Sequence, residues 1–155
     1  MNLSLFLCSK PTQFENGSKR GIKNIGQDII GAAFSVMRNS GRGMREIYYE
    51  KAMVYELRSM GYDVREQVAI PVYYRGEIID DAYMADIIVN QKVILELKAV
   101  ASMHEAECRQ LITYLKLTGY KLGYLINFGA SNFCVGRFDE RLPYRHGIYR
   151  FVNNL

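Results

Sequence analysis

Two closely spaced apolar runs, Ile87-Ile88-Val89 and Val93-Ile94-Leu95-Glu96-Leu97, place apolar side chains at successive positions. Side chains on a strand alternate between faces, so runs that are apolar on both faces belong in a sheet interior and not on a solvated edge. Three charged residues interrupt this pattern: Asp86 at the start of the first run, then Glu96 and Lys98 in and after the second. Glu96 and Lys98 project from the same face because they are two residues apart. Two carboxylates and an ammonium can therefore converge where the surroundings are apolar, and charges in such surroundings need a reason.

The rest of the composition sets limits. With 155 residues, 49% hydrophobic and 23% charged, the chain is expected to form one globular domain with a sizeable core. The net charge of +4 is spread along the chain, which permits an anionic partner without demanding one. No apolar stretch approaches a membrane span, and the run Leu3 to Cys8 lacks a basic start and the length of a signal peptide, so a soluble cytoplasmic protein without a membrane partner is expected. Cys8, Cys108 and Cys134 have unrelated spacings that suggest neither disulfides nor a thiolate metal site, and they read as small buried hydrophobes.

Residues 1–22 show no period and read as an irregular leader, leaving 23–155 as a single domain. Asn24 and Gln27 have the spacing of a capping box and open a helix that Gly41 ends. Gly43 opens a second helix, ended by Gly61, with Glu46, Glu50, Met53, Leu57 and Met60 along one stripe. From Val64 to Lys98 the pattern is an antiparallel meander of three strands, turning at Arg75-Gly76 and Asn90-Gln91. Pro71 puts the first of these at an edge or a bulge. A third helix from about Met103 to Thr118, a buried strand from Leu122 to Phe128, a loop and a short strand near Ile148 to Val152 complete the chain.

A hard divalent cation such as Mg²⁺ takes oxygen ligands, usually one or two carboxylates with waters and substrate phosphate oxygens. Asp86 and Glu96 offer such ligands, and Lys98 could position a nucleophile or neutralise charge on a phosphoryl group. A clean two-residue Asn90-Gln91 hairpin would set Asp86 opposite Leu95 instead of Glu96. A shared site therefore predicts a three-residue connection or a bulge at this turn. The alternative is a same-face ion pair of Glu96 with Lys98, Asp86 pairing another base; acid-x-Lys is a short motif, and the apolar setting tilts it toward a site.

Other candidates have plainer readings beside functional ones. With Gly43 as N-cap, Glu46 falls at the third helical position, where an acid favours the helix dipole and can close a capping box. Glu107, Gln110 and Tyr114 form a polar line on the third helix, which by itself reads as a solvated face. His104 and His146 read as surface or satisfied histidines. Arg38, Arg42, Arg45, Lys51 and Arg58 could bind phosphates or serve only solvation.

The segments Gly41-Arg-Gly-Met-Arg-Glu46-Ile-Tyr-Tyr49-Glu50-Lys-Ala-Met53, Ala85-Asp86, Ile94-Leu-Glu96-Leu-Lys98-Ala-Val100, Tyr114-Leu-Lys-Leu-Thr-Gly119 and Leu125-Ile-Asn-Phe-Gly129 stand in this order. Together they resemble the GxxExxR proteins, a group similar to the PD-(D/E)XK nuclease superfamily, over roughly Ile25 to Leu155. The resemblance implies an α/β, restriction-endonuclease-like core, with a mixed central sheet containing the antiparallel meander and flanked by helices. It further implies a nuclease that hydrolyses phosphodiester bonds of DNA or RNA with Mg²⁺ or Mn²⁺. Asp86, Glu96 and Glu46 would be its metal ligands, Lys98 its catalytic lysine, and Gln110 with Tyr114 the helix motif lining the site. Tyr49 stands where the arginine of the group's name would fall, and Ala85 where the wider superfamily has proline. The alternative function is an inactive nucleic-acid- or protein-binding module on the same fold. A homodimer or a larger complex is compatible with either.

Overall fold

The computed structural model describes residues 22–136 and 146–154, without the side chains of 22, 23, 81 and 82. Residues 1–21 of the expected leader, with Cys8, lie outside these residues, and Ile22, placed in that leader, instead begins the first helix. Helices α1 (Ile22–Ser40) and α2 (Glu46–Ser59) precede strands β1 (Val64–Tyr74), β2 (Glu77–Val89) and β3 (Val93–Lys98). Helix α3 (Glu105–Thr118) then leads to β4 (Leu122–Asn127), β5 (Asn132–Gly136) and β6 (His146–Val152). Among the described residues the strands make one mixed sheet in the order β1-β2-β3-β4-β6-β5. β3 and β4 run parallel across the α3 connection, β5 and β6 are also parallel, and the remaining neighbours are antiparallel.

The apolar runs occupy the middle of this sheet. Val93, Leu95 and Leu97 face a core built with Ile25, Ile29 and Val36 of α1 and Met53 and Leu57 of α2. Ile94 faces the other way, into a second core with Cys108, Leu111 and Leu115 of α3. Burial on both faces is what the continuous apolar pattern requires.

Several sequence expectations need correction. Asn24 does not cap α1, because the helix already includes Ile22. Helix α2 begins at Glu46 behind Arg45 as N-cap, so Glu46 is the first helical residue and not the third position of a capping box. The two glycines of the preceding segment, Gly41 and Gly43, have φ of 67° and 89°, a left-handed conformation that delays the helix start beyond Gly43. The stretch read as a loop after β4 contains β5, a five-residue strand at the sheet edge with little burial and no usable alternation. Cys108 is a small buried hydrophobe, but Cys134 is half-buried with Sγ 3.0 Å from His146 Nδ1. Pro71 meets its expectation doubly, since β1 is an edge strand and its register shifts between Ile70 and Val72. No helix among the described residues is long and apolar enough to cross a membrane.

Tyr49 is the fastening between α2 and the end of the sheet. Its ring stacks on Phe128 just after β4, with centroids 4.4 Å apart. Its hydroxyl donates to Gly41 O at 2.8 Å and accepts from Met44 N at 3.2 Å, which fixes the segment that delivers Glu46. Tyr49→Phe keeps the stack and removes both bonds. The expected cost is about 1–2 kcal/mol, read as a lowered midpoint in urea unfolding.

Candidate active site

The turn after β2 decides whether the two acids can meet. Val89 pairs with Val93, leaving Asn90, Gln91 and Lys92 between them, so the connection has the three residues that a shared site requires. Asn90 and Gln91 take φ of 50° and 53°, and Lys92 N donates to Val89 O at 3.0 Å. Continuing the Ile87–Leu95 register by one residue sets Asp86 opposite Glu96. Asp86 Oδ2 accepts a 2.8 Å hydrogen bond from the main-chain N–H of Leu97, which locks the carboxylate onto β3.

Glu96 is 2% exposed. Its Oε1 lies 3.6 Å from Lys98 Nζ, so the same-face pair expected from the sequence is present. Its Oε2 is buried with no hydrogen-bond partner among the described residues. Burial pushes its pKa up to about 8, with the Asp86 charge adding to the rise and Lys98 opposing it. Lys98 shows the opposite balance. Burial by itself would lower its pKa, but the carboxylates of Glu96, Glu46 and Asp86 outweigh burial and raise it. Lys98 is therefore an ammonium at neutral pH and not a proton acceptor.

Glu46 reaches this group from the opposite side of the sheet. Although the residue is exposed, partial burial is the largest influence on its carboxyl group and raises its pKa. Lys98 and the main-chain N–H of Ala99 pull the value down, and Asp86 pushes it up. The first turn of α2 thus ends against the C-terminal end of β3. That end is held by Asn127, whose Oδ1 accepts from Val100 N and Gly129 N at 3.0 Å each and whose Nδ2 donates to Val100 O at 2.9 Å. Gly129 approaches so closely that a Cβ there would stand 2.5 Å from Val100 O.

Gln110 is held by a 2.5 Å bond from its amide to Tyr114 Oη. Tyr114 is buried, and its pKa is raised first by that burial and further by Glu96 and Asp86. The polar line on α3 is thus turned inward at Gln110 and Tyr114. Glu107 instead accepts from His104 N at 2.9 Å at the helix start.

Two neighbours have no site role in the sequence reading. Glu50, on the α2 stripe, is 5% exposed and accepts the Gln67 amide at 3.0 Å on both oxygens. The same Gln67 nitrogen lies 3.3 Å from Asp86 Oδ1. Burial raises the Glu50 pKa, with Gln67 lowering it and Asp86 raising it. An acid on a buried stripe was a usable signal for Glu50; Gln67 has none in its strand. The basic residues of the helical hairpin are partly engaged elsewhere: Lys51 and Arg58 meet Glu66 at 2.9 and 3.2 Å, and Arg42 donates to Ser131 O.

A metal can be tested against these donors. Among the described residues no group of three or more His, Cys, Asp or Glu side chains is placed to hold a metal ion. A Mg²⁺-type ion does not need one, because waters and substrate oxygens fill most of its octahedron. The oxygens of Asp86 and Glu96 are hard ligands, and buried Glu96 Oε2 has no hydrogen-bond partner among the described residues. The set fits a hard divalent cation. A hollow of about 800 Å³ beside α3 and β6, lined in part by Lys116, Arg150 and Asn153, does not include these acids.

A family model for the PD-(D/E)XK nuclease superfamily matches residues 23–137, and the chain belongs to that superfamily. The matched span contains Glu46, Asp86, Glu96, Lys98 and Gln110. The mixed sheet between α1/α2 and α3 is the restriction-endonuclease-like fold of that class. No curated protein and no solved structure matches the chain.

Proposed function

We propose that this protein is a Mg²⁺- or Mn²⁺-dependent nuclease of the GxxExxR type, hydrolysing phosphodiester bonds in DNA or RNA. The observation that carries the reading is the buried Oε2 of Glu96, unpartnered among the described residues, beside Asp86 and a charged Lys98. A carboxylate so placed pays a large desolvation cost unless a cation or a proton meets it. Asp86, Glu96 and Glu46 would hold the ion. When bound, the ion would supply Lewis acidity toward a phosphoryl oxygen and lower the pKa of an attacking water.

The chain's own residues do the rest. Leu97 N–H aims Asp86, keeping one of its oxygens turned to β3. Lys98, held cationic by three acids, faces the charge that develops on the phosphate oxygens during attack. Gln110 orients the Tyr114 hydroxyl, and the pair forms the α3 wall of the site. The residues from the start of α1 onward would act as one cytoplasmic nuclease domain.

The test is cleavage of a panel of single- and double-stranded DNA and RNA with Mg²⁺ or Mn²⁺, beside Asp86→Asn. Wild type should cut at least one form, chelator should stop it, and Asp86→Asn should lose about 10²-fold or more in rate. Nucleic-acid binding with no cutting by wild type would transfer the reading to an inactive binding module.

A further inference from the structure

Strands β1 and β2 change faces at one point, and that point is Gln67 opposite Asp86. Below it, Val64 of β1 and Ile87 and Val89 of β2 pack into the α1/α2 core. Beyond it, Val68 and Ile70 of β1 and Ala85 of β2 pack on the α3 side. Val64, Val68 and Ile70 are an even number of residues apart and would share a face on a regular strand. The ladder pairs Glu66 with Ile87 and Val68 with Ala85, and skips the Gln67–Asp86 pair between them. Gln67 takes φ of 47°, a left-handed conformation that disfavours a non-glycine side chain. A break of this kind re-aims side chains and recurs beside active sites.

The redirected amide spans two acids. One nitrogen of Gln67 serves both oxygens of buried Glu50 and approaches Asp86 Oδ1. Leu97 N–H holds the other oxygen, Oδ2. Asp86 is thus gripped from β3 on one side and from β1 on the other. Glu50 anchors the β1 grip to α2, the helix that also carries Glu46.

We propose that Gln67 is a positioning residue for the metal site, with Glu50 as its anchor: the strained β1 break exists to fix the rotamer of Asp86 and to hold two like charges apart. This rests on the reading of Asp86 as a metal ligand. Outer residues that orient metal ligands typically contribute one to two orders of magnitude in affinity.

The experiment measures Mn²⁺ affinity by calorimetry and melting temperature for wild type, Gln67→Gly, Gln67→Met and Asp86→Asn. Glycine relieves the left-handed strain, whereas methionine keeps it with similar bulk, so the two variants should differ in melting temperature. Both lack the amide, and both should bind Mn²⁺ about tenfold more weakly than wild type. Mn²⁺ affinity that follows melting temperature across the two variants, or that equals wild type in both, overturns the positioning role while Asp86→Asn still loses binding. Unchanged Mn²⁺ binding in Asp86→Asn, or no binding by wild type, overturns the metal-ligand reading and the positioning role with it.

Discussion

Lys98→Ala should slow single-turnover cleavage by about 10²–10³-fold at saturating Mg²⁺, with little loss of metal affinity. The neighbouring acids raise the pKa of Lys98, so the ammonium acts as a fixed cation that costs no reorganisation when charge develops on the substrate. Removing it also removes the one cation close to Glu96, at 3.6 Å, among the described ion pairs. Cation binding should be retained or strengthened, because the remaining acids attract the ion without competition from Lys98. Lys98→Arg should restore little, since a planar guanidinium cannot take the place of a compact ammonium that is 19% exposed. A rate within about twofold of wild type in Lys98→Ala would reduce the residue to the structural ion pair. Activity and metal affinity falling together would instead assign it to holding the ligands in place.

The geometry of Asp86 and Glu96 was legible because strand physics is discrete. Two acids on neighbouring antiparallel strands can face each other only in alternate registers, so the demand for convergence implied three residues in the turn. The Val89–Val93 pair meets that demand. Glu46 was legible as an acid at a helix start, but its position in the first turn was not. Whether the helix began at Gly43 or Glu46 depended on a left-handed pair of glycines, and composition does not reveal φ. Gln110 and Tyr114 had a solvated-face reading that burial of Tyr114 removes.

Gln67 lay beyond sequence reasoning for a specific reason. Val64, Val68, Ile70 and Val72 share one parity, the pattern of a strand with a single inner face, with Glu66 the polar residue among them. The chain uses that pattern on two faces in succession, with the change of face at Gln67. A strand that flips without a phase shift in its apolar residues leaves only the polar Glu66 on that parity, which reads equally as an exposed edge position. The flip brings the side chain of an otherwise unremarkable glutamine between Glu50 and Asp86, where tertiary structure alone defines its role.

Glu96→Gln should abolish cleavage, weaken Mg²⁺ binding by two orders of magnitude or more, and at the same time stabilise the metal-free protein in alkaline solution. The sign follows from proton linkage. Glu96 has a folded pKa of about 8 against an ordinary value of 4.5, so between these pH values the folded state holds a proton that the unfolded chain has released. Stability contributed by this group is full below pH 4.5, declines as pH rises through the window, and is lost above about 8. At 1.36 kcal/mol per unit the shift sets an upper bound of about 5 kcal/mol, and water entry on opening should leave a few kcal/mol. Glutamine carries no titrating proton, so its thermal unfolding should be flatter from pH 5 to 9 and its midpoint higher than wild type at pH 9. Mg²⁺ should reverse the order, because the ion binds the ionised wild-type site and stabilises the state that binds it. Melting curves at pH 5, 7 and 9, with and without Mg²⁺, separate these effects. A wild-type midpoint at pH 9 that equals or exceeds that of Glu96→Gln without metal would show that Oε2 has another donor and is not waiting for a cation.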